Sequence, residues 1–236
     1  RINPLLDVTF DGVRILNGDI VSAKPNILIS VADENKYLLL TDTSDIKVFI
    51  KKQGEQEKQL FFAKDMSFIP ATSGNKNKCK IEYKPTLEDG TYTLRVKATD
   101  RTLNTSGDND YNISFNVINK PSTTQILNYP NPFSTATRFV FTLTGSEVPE
   151  QIDIQIFTIT GKVVKTIRRE DLGFLHIGRN ITEYVWDGTD DFGDKLANGV
   201  YFYKVNVRLH NQQIDILPTE ADKGFEKGIG KLVILR

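Results

Sequence analysis

Few residues in this chain have the chemistry for catalysis, and they are scattered. The sequence holds one cysteine, Cys79, and two histidines, His176 and His210. A nucleophilic thiolate needs a base within hydrogen-bond reach. Cys79 instead falls on the apolar side of the alternating run Cys79-Lys80-Ile81-Glu82-Tyr83-Lys84, in the other half of the chain from both histidines. It reads as a small core residue. Neither histidine has a carboxylate or cysteine at ligand spacing in the sequence, so both read as surface loop positions.

The densest carboxylate group is Asp187, Asp190, Asp191 and Asp194 in DGTDDFGD. Four closely spaced oxygen donors could hold calcium, but the stretch lacks flanking helices and the closing Glu of a calcium loop. Asp and Gly also build turns, because the Asp side chain bonds nearby backbone amides, and turns are the preferred reading. No metal is expected. Asp33, Asp100, Asp108 and Asp110 carry the same suspicion at a lower level. Phe157, Phe174, Phe192 and Phe202 fall at outward or loop positions and could form a glycan-binding platform, which makes an adhesin module the alternative reading. No Gly-rich phosphate cradle, nucleophile elbow or paired-histidine motif is present, so neither an enzyme activity nor a cofactor is expected of these residues.

The elements that must position these residues are strands. Ile27, Ile29 and Val31; Cys79, Ile81 and Tyr83; Tyr92, Leu94, Val96 and Ala98; and Ile113, Phe115 and Val117 each alternate with polar or charged neighbours. The turn Glu88-Asp89-Gly90 separates two of these runs. In the second half Phe139, Phe141 and Leu143 alternate, as do Ile152, Ile154 and Ile156, and Tyr201, Tyr203 and Val205. Thr160-Gly161-Lys162 turns the chain into Val163 to Ile167, and Leu232 to Leu235 form a last apolar strand. Leu209 to Gly230, with Pro218 and mixed charge, has little periodicity and reads as a long mobile connection. The expected class is all-β, as two tandem immunoglobulin-like antiparallel sandwiches. The polar stretch Asn119 to Thr124 places the boundary, giving residues 1–119 and 120–236.

Lys and Arg number 30 and Asp and Glu number 30. A nucleic-acid binder needs a basic excess to neutralise phosphates, so that class loses its support. No stretch approaches the ~20 apolar residues of a membrane-spanning helix. The start at Arg1, without signal-peptide features, suggests a chain cut from a longer protein.

Four ordered segments of the second half carry a family resemblance: Asn128 to Phe133 (NYPNPF), Ile154 to Val164 (IQIFTITGKVV), Trp186 to Gly193 (WDGTDDFG) and Ala197 to Lys204 (ANGVYFYK). The half resembles the flagellar hook-cap immunoglobulin-like domain. It is similar in the same way to C-terminal sorting domains of the Bacteroidetes type IX secretion system, which also finish in a basic, β-branched strand like Lys231 to Arg236. The first half, with Val8-Thr9-Phe10-Asp11-Gly12 and Asp89 to Leu94, is similar to domains preceding such a tail in gingipain-like cysteine peptidases. A hook-cap scaffold is a third reading.

The resemblance implies a surface-exported protein whose tail an outer-membrane translocon recognises, after which a sortase cleaves it or, as in the sortase itself, it is retained. Lys231, Leu232, Val233, Ile234, Leu235 and Arg236 are the implied recognition residues, offering backbone hydrogen bonds and charge to outer-membrane secretion and attachment proteins by strand addition. Tyr129, Pro130, Asn131, Pro132, Phe133, Gly161, Trp186, Asp187, Gly188, Gly193, Asn198, Gly199 and Tyr201 are the implied structural residues. The segment between Val207 and Gly228 is longer than in the compact sorting domain.

Overall fold

A strand that alternates apolar and polar residues has one face to bury, and a sheet of such strands must pack on another layer. The structure, a computed structural model, describes residues 5–32, 39–44, 46–72, 77–98, 110–217, 225–226 and 229–236. The chain divides into two compact units, Arg1–Asn119 and Lys120–Arg236.

The first unit contains β1 (Leu5–Phe10), β2 (Asp19–Val21), β3 (Ile27–Ala32), β4 (Ile46–Lys52), β5 (Lys58–Leu60), β6 (Met66–Ile69), β7 (Lys78–Tyr83), β8 (Gly90–Ala98) and β9 (Tyr111–Val117). They form two sheets in the orders β1-β3-β7-β6 and β2-β9-β8-β4-β5. Ile27, Ile29, Cys79 and Ile81 of one sheet and Val48, Leu94, Val96 and Phe115 of the other belong to a single buried core. Phe115 meets Phe10 edge-on at 5.0 Å and stacks on Tyr92 at 5.7 Å.

The second unit contains β10 (Ser122–Thr124), β11 (Leu127–Tyr129), β12 (Arg138–Thr144), β13 (Gln151–Phe157), β14 (Val163–Ile167), a 3-10 turn (Arg169–Asp171), β15 (Gly178–Ile181), β16 (Gly199–Leu209), β17 (Gln212–Gln213), β18 (Asp215–Leu217), β19 (Phe225–Glu226) and β20 (Ile229–Ile234). One sheet runs β11-β12-β10-β18, with β15 on the other side of β12; the larger runs β14-β13-β16-β20-β19, with β17 on β16. Phe139, Phe141, Ile152, Ile154, Ile156, Tyr203, Leu232 and Ile234 are buried. Phe139 of β12 meets Tyr203 of β16 edge-on at 6.1 Å and so ties the two sheets together.

The chain is all-β, and each unit is an immunoglobulin-like β-sandwich. Two features depart from the expected pattern. The sheets are not wholly antiparallel, because β2 runs parallel to β9 and β18 parallel to β10. The stretch after Leu209 also contains ordered strands. A turn at His210 and Asn211, both with positive φ, folds β17 back on β16; β18 then crosses to the other sheet, and β19 pairs with β20. Strands of two or three residues leave no readable periodicity, which is why this stretch looked featureless. Pro218 lies outside the described residues.

Candidate functional site

Three of the four segments of the resemblance meet at β20; the fourth, Ile154 to Val164, lies on β13 and its hairpin into β14, with β16 between it and β20. Its inward residues Leu232 and Ile234 are fully buried, Lys231, Leu235 and Arg236 are exposed, and Val233 is half-buried. β16 covers one edge of β20, whereas β19 reaches only Gly230 and Ile229 on the other. Asn131 and Phe133 complete that second edge. The Asn131 Nδ2 donates to the Lys231 carbonyl at 2.9 Å, and its Oδ1 accepts from the Val233 N–H at 3.0 Å. The Phe133 N–H donates to the Val233 carbonyl at 3.0 Å, and the Phe133 carbonyl accepts from the Leu235 N–H at 2.8 Å. One asparagine side chain and one residue of backbone thus stand in for a strand.

Asn198 does the same for Arg236: its Oδ1 accepts from the Arg236 N–H at 3.0 Å, and its Nδ2 donates to the Arg236 carbonyl at 2.9 Å. The Arg236 guanidinium reaches into the loop after Trp186, where Nη1 donates to the Leu196 carbonyl at 2.6 Å and Nη2 to the Asp187 carbonyl at 2.7 Å. Gly188 makes room for it: its φ is +76°, and an added Cβ would lie 2.7 Å from that Nη2. Trp186 is fully buried, its ring 5.6 Å from that of Phe133 and its Nε1 donating to the Thr189 carbonyl at 2.9 Å.

Asn131, Phe133, Trp186, Asp187, Gly188, Asn198 and Gly199 therefore surround the last strand, from which sequence reasoning kept them apart. The rest stand elsewhere. Gly161 lies in the hairpin between β13 and β14 and Gly193 in the acidic loop, both with positive φ. Tyr129 is exposed, and Pro130 and Pro132 follow cis peptide bonds. Tyr201 is the exception: it sits opposite the buried Leu232 in the β16–β20 pair and donates its hydroxyl to the Ala197 carbonyl at 3.0 Å.

One expectation is corrected here. The outward backbone groups of Val233, the Lys231 carbonyl and the Leu235 N–H are already bonded within the unit, so this stretch does not offer them to an added strand. What it presents outward is the side chains of Lys231, Val233 and Leu235.

The acidic loop has turn work. The Asp187 Oδ1 accepts from the Thr189 hydroxyl at 2.7 Å and the Thr189 N–H at 3.2 Å, and these bonds hold its carboxyl below the usual range. The Asp190 Oδ1 accepts the N–H groups of Phe192 and Asp194, each at 2.9 Å. Asp191 closes the outer edge of β14: its N–H donates to the Val164 carbonyl at 3.0 Å, and its Oδ1 accepts from the Thr166 N–H at 3.3 Å and lies 3.4 Å from Lys165 Nζ. Among the described residues no three His, Cys, Asp or Glu side chains gather as metal ligands. Asp110 pairs with Arg95 and Lys97, while Asp33, Asp100 and Asp108 lie outside the described residues.

No protein-family model and no curated protein matches the chain. Among solved structures it is similar to dimeric latent PorU from Porphyromonas gingivalis, at 18% identity over 99% of this chain and 20% of that one, with a TM-score of 0.36. It is also similar to fibronectin(III)-like modules of Clostridium thermocellum CbhA, at 15% identity over 97% of this chain and 94% of that one, TM-score 0.27. The FN1–FN3 domains of chicken CNTN1 match at 10% identity over 93% and 63% of the two chains, TM-score 0.25. The chain spans a fifth of the length of the PorU chain it matches.

The remaining chemical candidates do not assemble. Cys79 is fully buried, and burial pushes its thiol up to about 11. The His176 N–H donates to Asn180 Oδ1, and its ring stacks on Phe174 at 6.0 Å. His210 does have carboxylate neighbours, which spacing could not reveal: its Nε2 is 3.1 Å from Glu147 Oε2, and its N–H donates to Glu150 Oε2 at 2.8 Å. Of the four outward phenylalanines, Phe157 and Phe202 stack at 6.2 Å, while Phe192 is 93% exposed on the acidic loop.

Proposed function

We propose that residues 120–236 are a type IX secretion and outer-membrane targeting domain of a larger secreted surface protein, with residues 1–119 as a sandwich spacer before it. The region acts by recognition and has no catalytic part. Its partners are outer-membrane secretion and attachment proteins, and its destination is the cell surface.

The observation that supports this reading is the clasp: segments between 38 and 102 residues away along the chain hold Lys231 to Arg236 in one conformation. A signal read as a folded surface gains from such preorganisation, because a partner then has less conformational freedom to remove on binding. Lys231, Val233 and Leu235 would be read directly, while the buried Leu232 and Ile234 and the engaged Arg236 would keep them in place.

The test is export of the full-length protein in the cells that make it, intact and lacking Lys231 to Arg236. The shortened protein is expected to remain inside the outer membrane. Its arrival at the surface at the intact protein's level would sink the reading. Mass spectrometry of surface and culture-fluid fractions for peptides of residues 129–236 then tells a removed tail from a retained one.

A further inference from the structure

The sandwich's larger sheet has a solvent face that is unusually apolar at one end. When one face of an antiparallel sheet is packed, the other normally carries polar residues. Here the strand register puts Val163, Phe157, Phe202 and Lys231 in one row across β14, β13, β16 and β20. Val200 and Val233 pair in the adjoining row, and Leu235 follows. Val163 is 47%, Val200 37% and Leu235 63% exposed. Contiguous apolar surface of this kind marks interaction sites.

Two cations stand in this band, Lys231 in the first row and Lys204 in the row beside it, opposite Gln155 and Ile229. Both are exposed, and neither has an ion-pair partner among the described residues. The nearest carboxylate on this face of β13, Asp153, is one row further along and is bonded by Gln151 Nε2. Strand addition is closed where Asn131 and Phe133 cover β20 and where Asp191 covers β14. That leaves the face itself.

We infer that this face docks a partner protein whose contact surface is apolar and bordered by carboxylates opposite Lys204 and Lys231. The inference rests on the targeting reading above and says where the domain is read. An anionic membrane is the weaker fit, because adsorption through lysines takes a cluster of about four to eight of them, and this band holds two.

The experiment places the photocrosslinker p-benzoylphenylalanine at Phe202, at Leu235, and at the control position Ile181, which is 54% exposed on β15 of the other sheet. It uses the full-length protein in the cells that make it. Adducts from the first two sites are expected on one protein, at apolar peptides rich in Asp or Glu, and not from Ile181. Lys204→Glu with Lys231→Glu, checked for an unchanged melting curve, should lower their yield by more than about tenfold, since like charges then face each other; Leu235→Ser should lower the yield from Phe202 too. Lipid adducts, adducts to a second copy of the chain, equal yield from Ile181, no adduct, or yields unmoved by these variants would overturn the inference. If the charge-reversed protein is exported normally while the protein lacking Lys231 to Arg236 is not, the docking face fails and the targeting reading stands. If both are exported, the targeting reading fails.

Discussion

Gly230→Ala tests the packing that holds the last strand. Gly230 lies opposite Tyr203 across the β16–β20 pair, and an added Cβ would stand 2.3 Å from Tyr203 Cζ and 2.6 Å from Cε1. Carbon atoms in contact settle at about 3.5–4.0 Å, so more than about 1 Å must be found. The ring cannot easily supply it: Tyr203 is 1% exposed, abuts Phe139, and donates its hydroxyl to the Ile126 carbonyl at 2.9 Å. Overpacking costs about 1–3 kcal/mol, and losing the hydroxyl's bond inside the core adds about 1–3 kcal/mol. The expected loss is about 2–6 kcal/mol, a fall of at least about 8 °C in Tm for a domain of this size. The assay is a fluorescence melt, because Trp186 is the sole tryptophan and reports the second unit. In a Tyr203→Ala background the same glycine change should cost little, since the clash is gone. A loss under about 1 kcal/mol for Gly230→Ala alone, or additive effects of the two changes, would refute the argument.

Three further predictions follow from the site. Asn131→Ala removes two hydrogen bonds from β20 and should lower the stability of the second unit by about 1–3 kcal/mol in the same melt, at about 0.5–1.5 kcal/mol for each bond. Cys79 should resist alkylation at pH 8 until denaturant unfolds the first unit; because its folded value is raised from 9.0 to about 11, its contribution to stability is present below pH 9 and is lost as pH climbs toward 11. Asp187 has a lowered folded value, so its contribution is present above its ordinary 3.8 and is lost as pH falls through the folded value. Melts at pH 7 and pH 3 should show Asp187→Asn less stable than the parent at pH 7, with the gap narrowing in acid.

Long alternating runs such as Ile152-Ile154-Ile156 and Tyr92-Leu94-Val96 were legible, because one packed face imposes a period of two over many residues. Gly188 and Gly199 stood out through the resemblance, and both have positive φ, Gly199 as the first residue of β16. The parallel pairs and the short β17, β18 and β19 were not, since pairings of two or three residues are too short to show a period of two. The clasp was half legible. Its segments stood out, but Asn131 acts through a side-chain amide on residues about a hundred positions later, and no local spacing encodes that contact. A separation of 60 residues likewise hid Glu150, and its neighbour Glu147, from His210.

The clasp also orders events in time. β20 is made after every other strand of its unit, yet β16, Asn131, Phe133 and Asn198 all depend on it for partners. The first unit has its final strand once Val117 is made, whereas the second lacks its own until residue 236 emerges. At a synthesis rate of about 5–20 residues per second, this leaves roughly 6–25 s in which the leading module can be complete and the trailing one cannot. During that interval the nascent trailing segment is open to chaperones and transport factors, and the arrival of β20 ends it.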